Sequence, residues 1–313
     1  MGNKVYEIVT QKIIEKLEEA IQTGQCAPWH KPWSSNTVPV NHVTLRPYRG
    51  VNLLLLDGGE YLTWSQLCDL QKHRPELRLR KGSKSHMVVY FSFKESTKEV
   101  IKPDGQTEQK AVRIPFLRYY KVFSIKDVEG LEPRRQQVAY EHDPIEAAEI
   151  IVRDYMERET SLGLRYTDED RACYRPSTDE VSVPSKELYA NLAEFYSTLF
   201  HELTHSTGHP KRLNRLRGPA FFGDSEYSKE ELCAELGAAM LCGCCGIDNS
   251  EAADNSVAYL QNWLSALRND ISLIVSAAAK AQRATDYILG ITYEESAQYY
   301  RNITKIQFVF LLN

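Results

Sequence analysis

Five consecutive residues constrain this chain more than any others: His201-Glu202-Leu203-Thr204-His205, set in the segment SKELYANLAEFYSTLFHELTHSTG (185–208). Leu188, Leu192, Phe195, Leu199 and Leu203 recur at three- and four-residue intervals, which predicts an amphipathic helix closed by Gly208. Two histidines four apart on a helix share one face about one turn apart. That separation suits two zinc–nitrogen bonds of about 2.0–2.1 Å. Glu202, beside the first histidine, can reach a water on the metal without becoming a ligand, the position of a general base. The expected cofactor is Zn²⁺, with His201 and His205 as ligands and Glu202 as the catalytic residue.

A catalytic zinc takes a third protein ligand and keeps one position open. The next acidic helix is EYSKEELCAELGAAMLCG (226–243), with Glu231 and Glu235 four apart on one face. In thermolysin-like gluzincins the ligand Glu opens such a helix, and an acidic residue four positions later orients a ligand His. Glu231 is therefore the expected third ligand, and Glu235 either stands behind it or takes its place. Two features compete. Ser228-x-x-Glu231 has the form of a capping box, which would give Glu231 a structural task. His209 is a further donor, although Gly208-His209-Pro210 breaks the helix. The run HELTHSTGHPK begins like a metzincin motif, but Lys211 occupies its last histidine position.

The 313 residues are 42% hydrophobic and 26% charged. That is enough chain for two domains, and it excludes wholly disordered, collagenous and disulfide-scaffold classes. No apolar run reaches the roughly 18 residues of a membrane span, and the N-terminal MGNKVYEIVTQKIIEKL has no secretory apolar core. The expectation is a cytoplasmic protein with no membrane partner. The seven cysteines are odd in number. Cys242, Cys244 and Cys245 read as reduced thiols, because no second cluster completes a metal site.

Charge is unevenly placed. Residues 1–135 hold 22 Lys and Arg against 15 Asp and Glu, a net +7, while the whole chain is −4. In the basic half, Trp29, Trp33, Tyr48, Tyr61 and Trp64 are interleaved with His30, Lys31, Arg46, Arg49 and Asn52. Arg78, Arg80, Lys81 and Lys84 surround Gly82. Aromatic faces stack on unpaired bases while Lys and Arg follow phosphates, so this half reads as a module for single-stranded nucleic acid. The competing reading places the tryptophans in a core and the charges in solvent.

Periodicity predicts helices over 4–22, 61–70 (with Thr63 as N-cap), 143–159 (with Pro144 in its first turn), 254–269 and 270–289. It predicts strand, turn and strand over 77–93, a polar stretch with a Pro-Asp-Gly turn over 94–110, a strand pair within 111–125, and two short extended segments over 172–184. The fold class is α+β. A basic α+β DNA-binding domain (1–132) and a linker (133–142) precede a mostly helical zincin-like domain (143–313).

APWHKPW, PVN, RPYRGVNLLLL, YLTWSQL, LRKGSKS and YKVFSIKDVEGL together resemble the N-terminal domain of the ArdC antirestriction proteins. FYSTLFHELTHSTGHPKRLNR, YSKEELCAELGAAMLCG and YLQNWLSALRND resemble that family's zincin-type metallopeptidase domain. The likeness spans about residues 5–290. It implies single-stranded-DNA binding, a zinc site, a protein substrate, and protection of DNA carried by conjugative plasmids from host restriction. Matching positions are Trp29, Trp33, Asn41, Tyr48, Arg49, Asn52 and Trp64 in the first domain, and His201, Glu202, His205, Glu231 and Glu235 in the second. Asp127 stands where the family has Gln, and the tail YYRNITKIQFVFLLN departs from the family's polar end.

Overall fold

The computed structural model describes residues 2–30, 38–101, 107–135, 143–216, 225–248 and 256–291. Lys31, Trp33, the Pro-Asp-Gly turn, most of the expected linker and the C-terminal tail lie outside these residues. The chain is α+β, with helices and strands in both halves. Helix α1 (Gly2–Thr23) buries Val9, Ile13 and Leu17 on the predicted face. Strands β1 (Val40–Asn41) and β2 (Glu60–Thr63) pair in parallel around the single-turn helix α2 (Asn52–Leu55). Thr63 caps α3 (Trp64–Gln71) as expected. Its hydroxyl accepts from the Gln66 backbone N–H, and the Gln66 side chain accepts from the Thr63 N–H, a reciprocal capping box.

The strands that follow differ from expectation in pairing. β3 (Arg78–Leu79) does not pair across the Gly82 turn with β4 (His86–Ile101). It pairs with β6 (Val128–Glu129), because Leu77 and Val128 close a small core with Leu62, Leu67 and Ile125. β4 pairs instead with β5 (Thr107–Ser124), in register from His86 opposite Val122 to Ile101 opposite Thr107. The polar residues on either side of the Pro-Asp-Gly turn are therefore a long hairpin. A backbone ladder satisfies its N–H and C=O groups whatever side chains it carries. The sheet order is β1-β2-β5-β4.

In the second half Asp143 caps α4 (Pro144–Arg158), with Pro in its first turn. A three-stranded sheet, order β7-β9-β8, comprises β7 (Gly163–Thr167), β8 (Cys173–Arg175) and β9 (Glu180–Pro184). Helices α5 (Leu192–Ser206), α6 (Ser225–Cys245), α7 (Val257–Asn269) and α8 (Leu273–Leu289) complete it. The HELTH helix begins later than its apolar spacing predicts. Asn191 accepts from the Glu194 N–H and starts α5, leaving Leu188 exposed in a preceding 3-10 turn.

Two large cores result. One packs Phe195, Tyr196, Leu199, Phe200 and Leu203 of α5 against Tyr155, Val181 and Leu241. The other joins both halves of the sequence: Ile13, Leu17 and Trp29 pack with Leu236, Met240, Trp263 and Ile274. Arg49 also pairs with Asp286 across the halves, and the Gly50 N–H donates to Gln282 Oε1 at 3.1 Å. Cys233, Cys242 and Cys245 are buried, and burial pushes the Cys233 and Cys242 thiols up to about 12. The cysteines belong to no cluster of potential metal ligands among the described residues.

One close approach sets the spacing of α5 and α6. A Cβ added at Gly237 would lie 2.6 Å from both Cγ2 and Oγ1 of Thr204, inside the HELTH motif. Gly237→Ala should therefore force the helices apart and cost about 1–3 kcal/mol of stability, with weaker metal binding. Pairing it with Thr204→Ala should recover most of the loss. Chemical denaturation of the four proteins checks this, and an unchanged midpoint for Gly237→Ala would contradict it.

Candidate metal centre

The α5–α6 contact brings together the two histidines of the motif and the expected third donor, Glu231. His201 and His205 project from α5, with their Nε2 atoms 3.1 Å apart. Glu231 on α6 offers one carboxylate oxygen 3.6 Å from His201 Nε2 and the other 3.6 Å from His205 Nε2. One ligand atom from each lies within 4.8 Å of the other two. Two imidazoles and a carboxylate around one point are a fitting donor set for a divalent cation of the zinc type. Ser228 sits inside α6, which starts at Ser225, so the capping box that competed for Glu231 does not form. The Tyr227 side chain instead hydrogen-bonds Glu231.

Electrostatics tie the cluster together. Burial opposes a charged His201, but its hydrogen bond with Glu231 and the carboxylates of Glu235 and Glu202 outweigh this and push its pKa up to about 9. Burial likewise opposes ionisation of Glu231, and hydrogen bonding with His201 together with nearby His205 holds its carboxyl below the usual range. Glu202 is 8% exposed, beside the cluster but outside the three-donor set.

The support around these three donors differs from expectation. Glu230, not Glu235, lies against His205 Nδ1, at 3.4 Å. Arg215 holds Glu230 through both carboxylate oxygens, at 2.7 and 3.1 Å, and donates to the Thr204 carbonyl at 2.9 Å. Burial works against the Glu230 carboxylate, and hydrogen bonds with His205 and Arg215 hold its pKa down. A carboxylate on Nδ1 fixes the imidazole orientation that leaves Nε2 for a metal. Glu235 turns to His30, 3.6 Å away, whose pKa burial lowers against the pull of that carboxylate. The adjacent acids Glu230-Glu231 were the available signal, but a helix face read at four-residue spacing selects Glu235. Behind α5, the buried Arg212 pairs with Asp179 and donates to the Ser206 carbonyl at 2.7 Å, pinning the turn after the motif. His209 accepts from the Lys211 N–H and takes no part in the cluster.

The expected DNA-contacting residues are dispersed. Trp29 is 0% exposed and stacks edge-on against Trp263, so it offers no face to a base; this corrects its sequence assignment. Asn52 ties down β4: its Nδ2 donates to the Val89 carbonyl and its Oδ1 accepts from the Val89 N–H. Asn41 donates to Gln66 and accepts from the turn N–H groups of Val43 and Thr44. Tyr48 packs edge-on against Tyr61, and Arg49 is engaged with Asp286. Arg46, Trp64, Lys81 and Lys84 are exposed, with Trp64 at 54%.

Comparison with known proteins follows the same division. Residues 3–123 match the family model for the N-terminal domain of anti-restriction factor ArdC, and residues 153–280 that for a zincin-like metallopeptidase. The crystal structure of metal-free antirestriction ArdC protein from plasmid R388 superposes with a TM-score of 0.65 at 32% identity, covering 94% of this chain and 98% of that one. Its Mn(II)-bound form gives 0.64 at 30% identity, covering 93% and 97%. Protein y4eC of Sinorhizobium fredii (strain NBRC 101917 / NGR234) is 33% identical over 91% of both chains. A DNA primase TraC of Escherichia coli is 30% identical over 91% of this chain, which spans only 27% of that primase.

Two outcomes are expected for the ligand set and its support. Because its folded pKa is raised from 6.5 to about 9, His201 stabilises the metal-free fold fully below its unfolded pKa, and that stability is lost as pH rises through the folded value. A metal needs the neutral imidazole, so loading at pH 7 should release about one proton from His201. Titration calorimetry in buffers of differing ionisation enthalpy reads this directly, and zero proton release would contradict it. Glu230→Gln should weaken metal affinity by roughly 10- to 100-fold, whereas Glu235→Gln should change it much less. Equal losses would contradict the division of roles.

Proposed function

Because the chain belongs to the ArdC family of antirestriction proteins, we propose that it binds single-stranded DNA through its basic front half and hydrolyses a protein substrate at a zinc centre. His201, His205 and Glu231 would hold the zinc, and Glu202 would be the catalytic base. The observation that carries this reading is the convergence of two imidazoles and a carboxylate beside a buried glutamate. When bound, zinc supplies a Lewis acid that polarises the scissile carbonyl and acidifies water. The chain supplies the rest. A Glu202 carboxylate oxygen takes the proton of the attacking water and returns it to the leaving amine. The Glu230–Arg215 pair keeps His205 oriented, and Tyr227 steadies Glu231 by its hydrogen bond.

The net +7 of residues 1–135 and the exposed Arg46, Trp64, Lys81 and Lys84 support the DNA reading. So does likeness to proteins named as DNA primases. No helix among the described residues is long and apolar enough to cross a membrane, and we place this protein of mobile elements in the cytoplasm, where incoming DNA meets restriction enzymes.

Glu202→Gln preserves side-chain size and removes the base. Zinc content should be unchanged while peptide hydrolysis falls by about 10²–10⁴-fold. Loss of zinc would show Glu202 to be a ligand, and full activity would remove it from the mechanism. If transferred DNA remains protected in this variant, protection does not depend on proteolysis. Single strands should bind more tightly than duplex, because stacking needs unpaired bases, and affinity should fall steeply with salt. Equal, salt-insensitive binding of both forms would contradict the DNA reading.

A further inference from the structure

Trp29, Asn41, Tyr48, Arg49 and Asn52, expected at a DNA surface, hold the fold together instead. The sheet offers another surface. Directly paired residues of an antiparallel ladder share a face, and every second residue along a strand returns to it. On β5, Leu117, Tyr119, Lys121 and Phe123 therefore share one face, with Phe91, Val89, Met87 and Leu62 opposite them. This face is core at two points: Leu62, opposite Phe123, lies in the small core with Leu67 and Leu77, and Leu117 and Val89 are buried in the cluster that includes α1. From there it opens. Tyr119 is 47% exposed, Lys121 is exposed, and Phe123 meets the exposed Trp64 edge-on, with ring centroids 6.4 Å apart. Phe91, paired with Leu117, is exposed at the other end.

We propose that this stripe, Phe91–Tyr119–Lys121–Phe123–Trp64, is the surface on which single-stranded nucleic acid lies. The inference rests on the DNA-binding reading of the front half and, Trp64 apart, places that binding on other residues. From the Phe91–Leu117 pair to Phe123 is six steps along β5, about 20 Å at strand rise. Flat rings separated by a cation match alternating bases and phosphates, since rings stack on any unpaired base and a lysine neutralises the backbone. An aromatic row standing on a sheet is also a recurrent platform for unstacked bases. Charge favours this occupant over an acidic or neutral groove's partner: Lys121 makes no ion pair among the described residues, and the half of the chain around it is net positive. Tyr90 and Tyr120 are also exposed, but the pairing places them on the opposite face, where Tyr90 opposes Arg118. That face provides an internal control.

The experiment uses the full chain and a fluorescent oligo-dT, titrated at several salt concentrations. Tyr119→Ala should weaken binding roughly 10- to 100-fold, and Tyr119→Phe, which keeps the ring, should bind within about twofold of the parent. Lys121→Ala should flatten the slope of log affinity against log salt by about 0.7. Tyr90→Ala should leave affinity unchanged. All three side chains are solvent-facing, and circular dichroism checks that the fold persists in the four variants. If the parent binds oligo-dT but Tyr119→Ala and Lys121→Ala bind as it does, the stripe is wrong and the DNA reading stands. If Tyr90→Ala weakens binding as much as Tyr119→Ala, the face is wrong. If the parent does not bind oligo-dT, the DNA reading itself fails, and the stripe with it.

Discussion

The close crossing of α5 and α6 is the contact on which the site depends. Thr204 lies in the HELTH turn, with its side chain against the bare Cα of Gly237. Only with the helix axes that close can the Glu231 carboxylate reach 3.6 Å from both histidine Nε2 atoms. A helix places two histidines on one face by itself. The third donor has to come from a neighbour, and the neighbour's distance is set by packing. The buried cores on either side, Phe195 to Leu203 below and Leu236 to Ile274 beside, make that distance stiff.

Charges buried near the site are compensated in pairs and networks. Arg215 engages Glu230, which in turn abuts His205; Arg212 engages Asp179 and the carbonyl of Ser206, the last residue of α5. Breaking one partner of such a pair leaves the other buried and unpaired, which costs far more than the intact pair contributes. These arginines come from the stretch just after HELTH. The sequence that follows the motif thus locks the motif's own helix and the orientation of its second histidine. The front half also reaches this region, since His30 sits 3.6 Å from Glu235 and Trp29 fills the shared core.

Much of this was legible in the sequence, for identifiable reasons. His201, Glu202 and His205 lie within one helical turn, so local geometry fixes their relation. Four-residue spacing put Glu231 and Glu235 on one face, and likeness to gluzincins singled out Glu231. Glu230 did not, because its role depends on how α6 is rotated against α5, a tertiary quantity that no local pattern encodes. The fate of Trp29 was undetermined for a similar reason: a tryptophan beside basic residues has the same local signature whether it packs on Trp263 or stacks on a base. The β4–β5 hairpin was missed where it is polar, since a ladder beyond the core needs no alternation of apolar residues. Asn191 shortened the HELTH helix because a capping side chain there outcompetes continued apolar spacing through Leu188.

X-ray absorption at the zinc edge of the loaded protein tests the central claim most directly. The arrangement predicts a first shell of nitrogen and oxygen only, at about 2.0–2.2 Å, with imidazole scattering from two histidines, and loss of one oxygen scatterer in Glu231→Ala. A sulfur scatterer at about 2.3 Å, or a shell unchanged by Glu231→Ala, would place the metal elsewhere and contradict the account.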